Sequence, residues 1–169
     1  MNDFPVLRGG RIVYLDSAST TLRPRRVIRA AARFSQNCGL GPHRAYYKLG
    51  GAAEESYAQA RRTAAGFIGA RPEEIVFVKN ATEGLNLLAL GLFQEPALKT
   101  SPALPGAGDK AALPLSEHHS NFLPWIRAVE KAGGKTEILY PGETGLPSPG
   151  EIETKIGPGV RVAAFALVS

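Results

Sequence analysis

Two adjacent histidines, His118 and His119, form the first group in this sequence that is suited to chemistry. They lie in the segment EHHSN, after the apolar run KAALPLS and before a segment with helical periodicity. An imidazole at such a position can stack on a planar ring or carry a proton near neutral pH. The structural alternative is that one histidine caps the helix and the other lies in solvent. The pattern alone leaves both interpretations open.

A second polar turn, NATE, follows the apolar run EIVFVK and begins a predicted helix with Asn80, Ala81 and Thr82. Unpaired backbone N–H groups and the helix dipole make such a turn a site for an anion such as a phosphate. The alternative is an ordinary N-cap by Asn80 or Thr82, with Glu83 favouring the dipole. An anion turn and a histidine at one edge of a sheet together suit a flat phosphorylated cofactor.

A third group lies in the segment GPHRAYYKLG, which is rich in glycine and aromatic residues. This basic loop, which also contains His43, could recognise a carboxylate through Arg44, or its aromatic residues could stack on bases. An ordered loop that packs its tyrosines explains the same pattern. Cys38, the one thiol in the chain, follows a predicted helix, where the negative end of the dipole would not activate it.

The composition is that of an ordinary globular protein of 169 residues, with room for one domain that has a substantial core. A single cysteine excludes an internal disulfide and indicates a cytoplasmic protein. No apolar run reaches about 18 residues, so we expect no membrane-spanning helix. The net charge of +5 invites a nucleic-acid interpretation, but the basic residues are mostly scattered.

Helical and apolar segments alternate along most of the chain. Four apolar runs predict strands at 74–79, 110–116, 135–141 and 160–169, and helical periodicity lies between them and at 24–37 and 52–70. Residues 38–51 are predicted to form an irregular loop. This alternation predicts an α/β fold with a parallel sheet and flanking helices. The apolar run VAAFALV predicts a last strand that is buried on both faces.

Four motifs, taken together and in order, resemble the cysteine desulfurases among the class V group of pyridoxal-phosphate (PLP) enzymes. They are YLDSAST, GPHRAYYKLGGAAEESYAQAR, EEIVFVKNATEGLNLLA and SEHHSNFLPW. The resemblance implies the partial large domain of a fold-type I PLP enzyme. It also implies an N-terminal segment at 1–50 and an incomplete PLP-binding large domain at 51–169.

The resemblance assigns roles to individual residues. Ala81 and Thr82 would hold the cofactor phosphate, and His118 would stack on the pyridine ring. Ala18 would border the substrate, and His43 and Arg44 would lie near the active-site entrance or a dimer contact. The family loop continues from His-Arg with a glycine and a second histidine, whereas this sequence has alanine and tyrosine there.

The resemblance also implies that groups needed for covalent chemistry are not in this chain. In the family the Schiff-base lysine, the persulfide-forming cysteine and the substrate-carboxylate arginine come later in the sequence. We therefore expect the N-terminal half of an enzyme that converts cysteine to alanine and an enzyme persulfide, active only with a complementary C-terminal half. The alternatives are a non-catalytic fragment that pairs with a full-length homologue, and a basic nucleic-acid binder.

Overall fold

The computed structural model describes residues 3–10, 12–38, 48–94, 105–106 and 108–167. Contacts divide the chain into two compact units, 1–76 and 77–169. The helices are α1 (Arg25–Asn37), α2 (Lys48–Ile68), α3 (Ala81–Gln94), α4 (His119–Lys131) and α5 (Pro149–Lys155). The strands are β1 (Lys110–Pro114), β2 (Thr136–Leu139) and β3 (Val160–Ala163), and short 3-10 turns lie at Pro5–Leu7 and Pro72–Glu74.

The first unit contains α1 and α2, and its described part has no paired strand. Helix α2 begins at Lys48, so the prediction that the loop extends to residue 51 is wrong at its end. The helix continues through Gly50 and Gly51 because the alanine-rich segment that follows favours the helical conformation. Residues 39–47 of the predicted loop lie outside the described residues.

The second unit is a three-stranded parallel sheet with the strand order β2-β1-β3. Each connection between neighbouring strands contains a helix, as parallel strands require. This confirms the predicted fold class, an open parallel sheet with flanking helices.

The core of this unit lies between α3, α4 and the central strand. It contains Ala89, Phe93, Ala111, Leu113, Trp125, Ala128 and Val129. The rings of Phe93 and Trp125 meet edge to face, with centroids 6.4 Å apart, an arrangement that aromatic pairs favour. These contacts hold α3 against α4.

The predicted strand at 74–79 does not form. Residues 75–78 make no strand ladder, and the side chain of Val76 is 73% exposed. The described residues offer this segment no neighbouring strand, and a strand is defined by its hydrogen-bonded neighbour. An apolar sequence alone is therefore not sufficient for this segment to form a strand.

The last strand is shorter and more exposed than predicted. Strand β3 is an edge strand of this sheet and ends at Ala163, whose side chain is exposed. Beyond it Phe165 is 46% exposed and Leu167 is 100% exposed. The prediction of burial on both faces is wrong for these residues. Among the described strands, β1 alone lies beside β3.

Pro114 explains where the β1–β3 ladder stops. The N–H groups of Ala111 and Leu115 donate toward β2, whereas that of Lys110 donates to the Gly159 carbonyl on the β3 side. By this alternation Pro114 faces β3, and proline has no N–H to donate. The ladder therefore ends one residue after Ala163, where Ala164 donates to Ala112.

Where the β1–β3 ladder ends, the side chain of Glu117 accepts the next hydrogen bond. The Ala166 N–H donates to Glu117 Oε1, and Asn121 Nδ2 donates to Glu117 Oε2 at 2.9 Å. The side-chain Oδ1 of Asn121 in turn accepts a hydrogen bond from the indole N–H of Trp125 at 3.1 Å. This relay ties the loop after β1 to the segment after β3 and to the core.

We predict that Asn121→Ala lowers the free energy of unfolding by about 1–3 kcal/mol, because it leaves the indole N–H of Trp125, which is 4% exposed, without its acceptor. Urea unfolding followed by circular dichroism measures the change. In a Trp125→Phe background, which has no indole N–H, the same substitution should cost less. Equal costs in the two backgrounds would show that the Trp125–Asn121 bond contributes nothing.

A cross-strand ion pair gives the sheet a pH dependence. Lys110 Nζ lies 2.7 Å from Glu137 Oε1, and this hydrogen bond holds the pKa of Glu137 below its ordinary value of 4.5. The pair should stabilise the protein fully above pH 4.5 and lose that contribution as the pH falls through the lowered pKa. Because both side chains are partly exposed, Glu137→Gln should cost a few tenths to about 1 kcal/mol at pH 7.

The measurement is the difference in unfolding free energy between wild type and Glu137→Gln from pH 7 down to pH 3. It should shrink toward zero in acid, and Glu143→Gln, which removes one carboxylate at an exposed position, is the charge-matched control. A difference that grew on acidification would refute the sign of this linkage.

Candidate functional site

Helix α3 begins with a side-chain cap. Asn80 Oδ1 accepts a hydrogen bond from the Glu83 N–H at 2.9 Å, and Glu83 Oε2 accepts one from the Lys79 N–H at 2.6 Å. The Gly84 N–H donates to the Asn80 carbonyl. Asn80 is therefore the N-cap, the role considered for it from the sequence.

The cap leaves two backbone donors at the start of α3. Within the described part of the chain, the N–H groups of Ala81 and Thr82 have no acceptor, as expected for the first two positions of a helix. The Thr82 carbonyl accepts a hydrogen bond from Asn86 Nδ2 at 2.8 Å. Helix α3 thus presents two free N–H groups and a hydroxyl at its positive end.

Helix α4 begins with His118 as its N-cap. Its backbone is extended, with φ −61° and ψ 141°, and its Nδ1 accepts a hydrogen bond from the Ser120 N–H at 3.1 Å. The Ser120 hydroxyl lies 2.7 Å from the same nitrogen. Because Nδ1 accepts, the proton of the neutral ring is on Nε2. The cap fixes the orientation of an exposed ring without covering it.

The two helix starts border one cavity of about 280 Å³. This volume is just below the range of ligand sites, which span roughly 300–1,000 Å³. The lining residues are Thr82 and Asn86 from α3 together with His118, His119, Ser120, Leu123, Pro124 and Arg127 from the start of α4 onward. Leu123 and Pro124 are apolar, and the other side chains carry hydrogen-bond donors. No carboxylate is among these described lining residues, so the cavity suits an anionic ligand.

The structure brings together two of the residues predicted from the sequence, Thr82 and His118. Ala81 precedes Thr82 as the first residue of α3. Ala18 lies in a turn of the other unit, where the Tyr14 hydroxyl donates to the Asp16 and Thr20 carbonyls. His43 and Arg44 lie outside the described residues.

Sequence reasoning gave His119 no role and missed five lining residues: Asn86, Ser120, Leu123, Pro124 and Arg127. Helical spacing could have found Asn86, which is four residues after Thr82, but no residue assigned to the site lies three or four positions before Arg127. The missing information was which faces of the two helices meet, because that depends on tertiary packing.

The described residues contain no cluster of three or more histidine, cysteine or acidic residues that could ligate a metal ion. No helix in the described ranges has the length and apolarity that crossing a membrane requires.

Comparison with known proteins gives relatives over the whole chain. A probable cysteine desulfurase from Aeropyrum pernix is 36% identical over 168 residues, which cover 99% of this chain and 39% of that protein. The apo structure of the cysteine desulfurase from Thermococcus onnurineus NA1 superposes with a TM-score of 0.78 at 34% identity, over 96% of this chain and 38% of that one. The chain therefore spans about two fifths of the length of these relatives.

A third likeness, at 17% identity, shows the fold alone. It is to a C-DES mutant with glycine covalently linked to its PLP cofactor, with a TM-score of 0.68 over 96% of this chain and 39% of that one. The sequence profile of class-V aminotransferases matches residues 13–169, nearly the full length. That match, together with cysteine desulfurase relatives found by sequence and by structure, identifies the family. The chain belongs to the aminotransferase class-V family.

Proposed function

We propose that this chain provides the phosphate- and ring-binding part of a PLP site in an enzyme of the cysteine desulfurase type. Such an enzyme converts cysteine to alanine and takes up the sulfur as a persulfide. The observation that carries the proposal is that Thr82 and His118, from two different helix starts, line the same cavity.

The residues present fit the cofactor's phosphate. A phosphate binds well at a helix N-terminus, where free N–H groups and the dipole favour negative charge. In this proposal the N–H groups of Ala81 and Thr82 and the Thr82 hydroxyl donate to its oxygens. Because the described lining residues include no carboxylate, no like charge opposes the dianion.

The residues present also fit the cofactor's ring. The Nδ1 cap holds the imidazole of His118 in one orientation while its side chain remains exposed. A flat pyridine ring can stack on an exposed aromatic face. When bound, PLP supplies the electron sink for bond changes at the substrate, and the contribution of this chain is to bind and orient it.

The remaining predicted site residues stay within the proposal. Ala18 would border the substrate, and His43 and Arg44 would lie near the entrance. The chain has no lysine in the Ser-His-Lys context of the family, and Cys38 does not match the family's catalytic cysteine. The covalent steps would therefore use residues that a complementary C-terminal half supplies.

The hydrogen bonding at the two edges of the sheet supports a complementary C-terminal half as the partner. On the outer edge of β2, Lys155 Nζ donates to the Ile138 carbonyl, and Glu151 accepts from the Tyr140 N–H. Side chains of α5 thus block that edge, a common protection against strand addition. On β3, Ala164 donates inward to Ala112, so the Ala163 N–H points outward, where no described residue accepts it. We propose that the outer edge of β3 receives a strand of the complementary half, in the cytoplasm.

Substitutions of His118 separate its capping role from ring binding. His118→Asn keeps a good N-cap and removes the ring, so we expect unchanged stability and an affinity about tenfold lower for a PLP analogue. His118→Phe keeps a flat ring and loses the cap, so we expect nearly unchanged affinity and a loss of about 1 kcal/mol in stability. The ligand is 4′-deoxypyridoxine 5′-phosphate, which has no aldehyde to react with surface lysines.

Isothermal titration calorimetry measures the affinity, and urea unfolding measures the stability. If the analogue bound equally well to wild type and His118→Asn, ring stacking on His118 would be refuted. If wild type did not bind it at all, the proposed function would fail.

The open edge of β3 is tested by amide hydrogen exchange in the chain by itself. We expect the Ala163 amide to exchange at least about tenfold faster than the Ala164 amide, because only the latter donates to a neighbouring strand. The two residues are adjacent and of the same type, so each is the other's control. Equal protection, measured by NMR, would show that a second chain or segment already covers this edge.

A further inference from the structure

Arg127 gives the cavity its permanent positive charge. Among the described lining residues it is the one whose side chain is charged at every physiological pH. The guanidinium groups of Arg62, Arg71 and Arg161 pair with Glu55, Glu74 and Asp109. Arg127 makes no such pair with any carboxylate in the part of the chain that the structure describes. Its charge is therefore available to a ligand.

The geometry of α4 directs this charge toward the start of the helix. Arg127 follows Ser120 by seven residues, two turns and roughly 10 Å along the axis. Long side chains on a helix point back toward its N-terminus and cover the preceding turn. The guanidinium can thus lie over the turn of Leu123 and Pro124, between its own Cα and the rim that Ser120 and Thr82 form.

We propose that Arg127 is a phosphate-binding residue of this cavity, acting together with the N-terminal N–H groups of α3. This inference rests on the proposed function and adds the residue that would neutralise about half of the dianion's charge. A phosphate at Thr82 would otherwise meet only neutral donors and the partial charge of the helix dipole. A guanidinium offers it paired N–H donors, the strongest type of phosphate contact that a side chain makes.

The test compares two ligands and three proteins by calorimetry. The ligands are 4′-deoxypyridoxine 5′-phosphate and its unphosphorylated parent, and the proteins are wild type, Arg127→Gln and Lys131→Gln. Lys131 lies in the last turn of the same helix, outside the cavity lining. Its substitution therefore removes an equal charge away from the cavity. We expect Arg127→Gln to weaken binding of the phosphate ester about tenfold or more and to leave binding of the parent compound unaffected. Lys131→Gln should change the binding of neither ligand.

Two further outcomes separate this inference from the proposed function. If wild type binds the phosphate ester and Arg127→Gln weakens it no more than Lys131→Gln does, the role of Arg127 is overturned and the proposed function stands. If wild type binds neither ligand, both are overturned. Arg127→Lys should recover only part of the lost affinity, since an ammonium keeps the charge without the paired donors.

Discussion

The contact between α3 and α4 is the constraint on which the candidate site depends. Phe93 and Trp125 meet edge to face in the core, and small residues, Ala89 and Ala128, are buried beside them. The first turns of both helices line the same cavity, so this packing holds them close together. Free backbone donors on one helix and an oriented imidazole on the other then border one cavity.

In the proposed function, His118 would combine a structural role with a binding role in one side chain. From the sequence, capping and stacking were alternatives. In the structure Nδ1 serves the helix cap while the imidazole remains exposed at the cavity. The cap reduces the conformational freedom of the ring before any ligand arrives, and such preorganisation lowers the entropy cost of binding. In the proposed function, the capping role of His118 would therefore favour ligand binding and would not compete with it.

The sequence predicted those features of the molecule that depend on residues close together in the chain. Thr82 and His118 could be found because each lies where an apolar run gives way to a helix. Arg127 could not, because its place in the cavity depends on which face of α4 meets α3. Residues 75–78 and 164–167 are apolar enough for strands, yet strand formation requires a neighbour, and sequence periodicity does not supply one. The same reasoning accounts for Leu167, which is apolar and fully exposed.

A crystal structure of the chain grown with 4′-deoxypyridoxine 5′-phosphate tests the central claim most directly. The account predicts the phosphate within about 3 Å of the Thr82 N–H and the pyridine ring stacked on the imidazole of His118. A ligand bound elsewhere, or bound in the cavity with its ring away from His118, would contradict it.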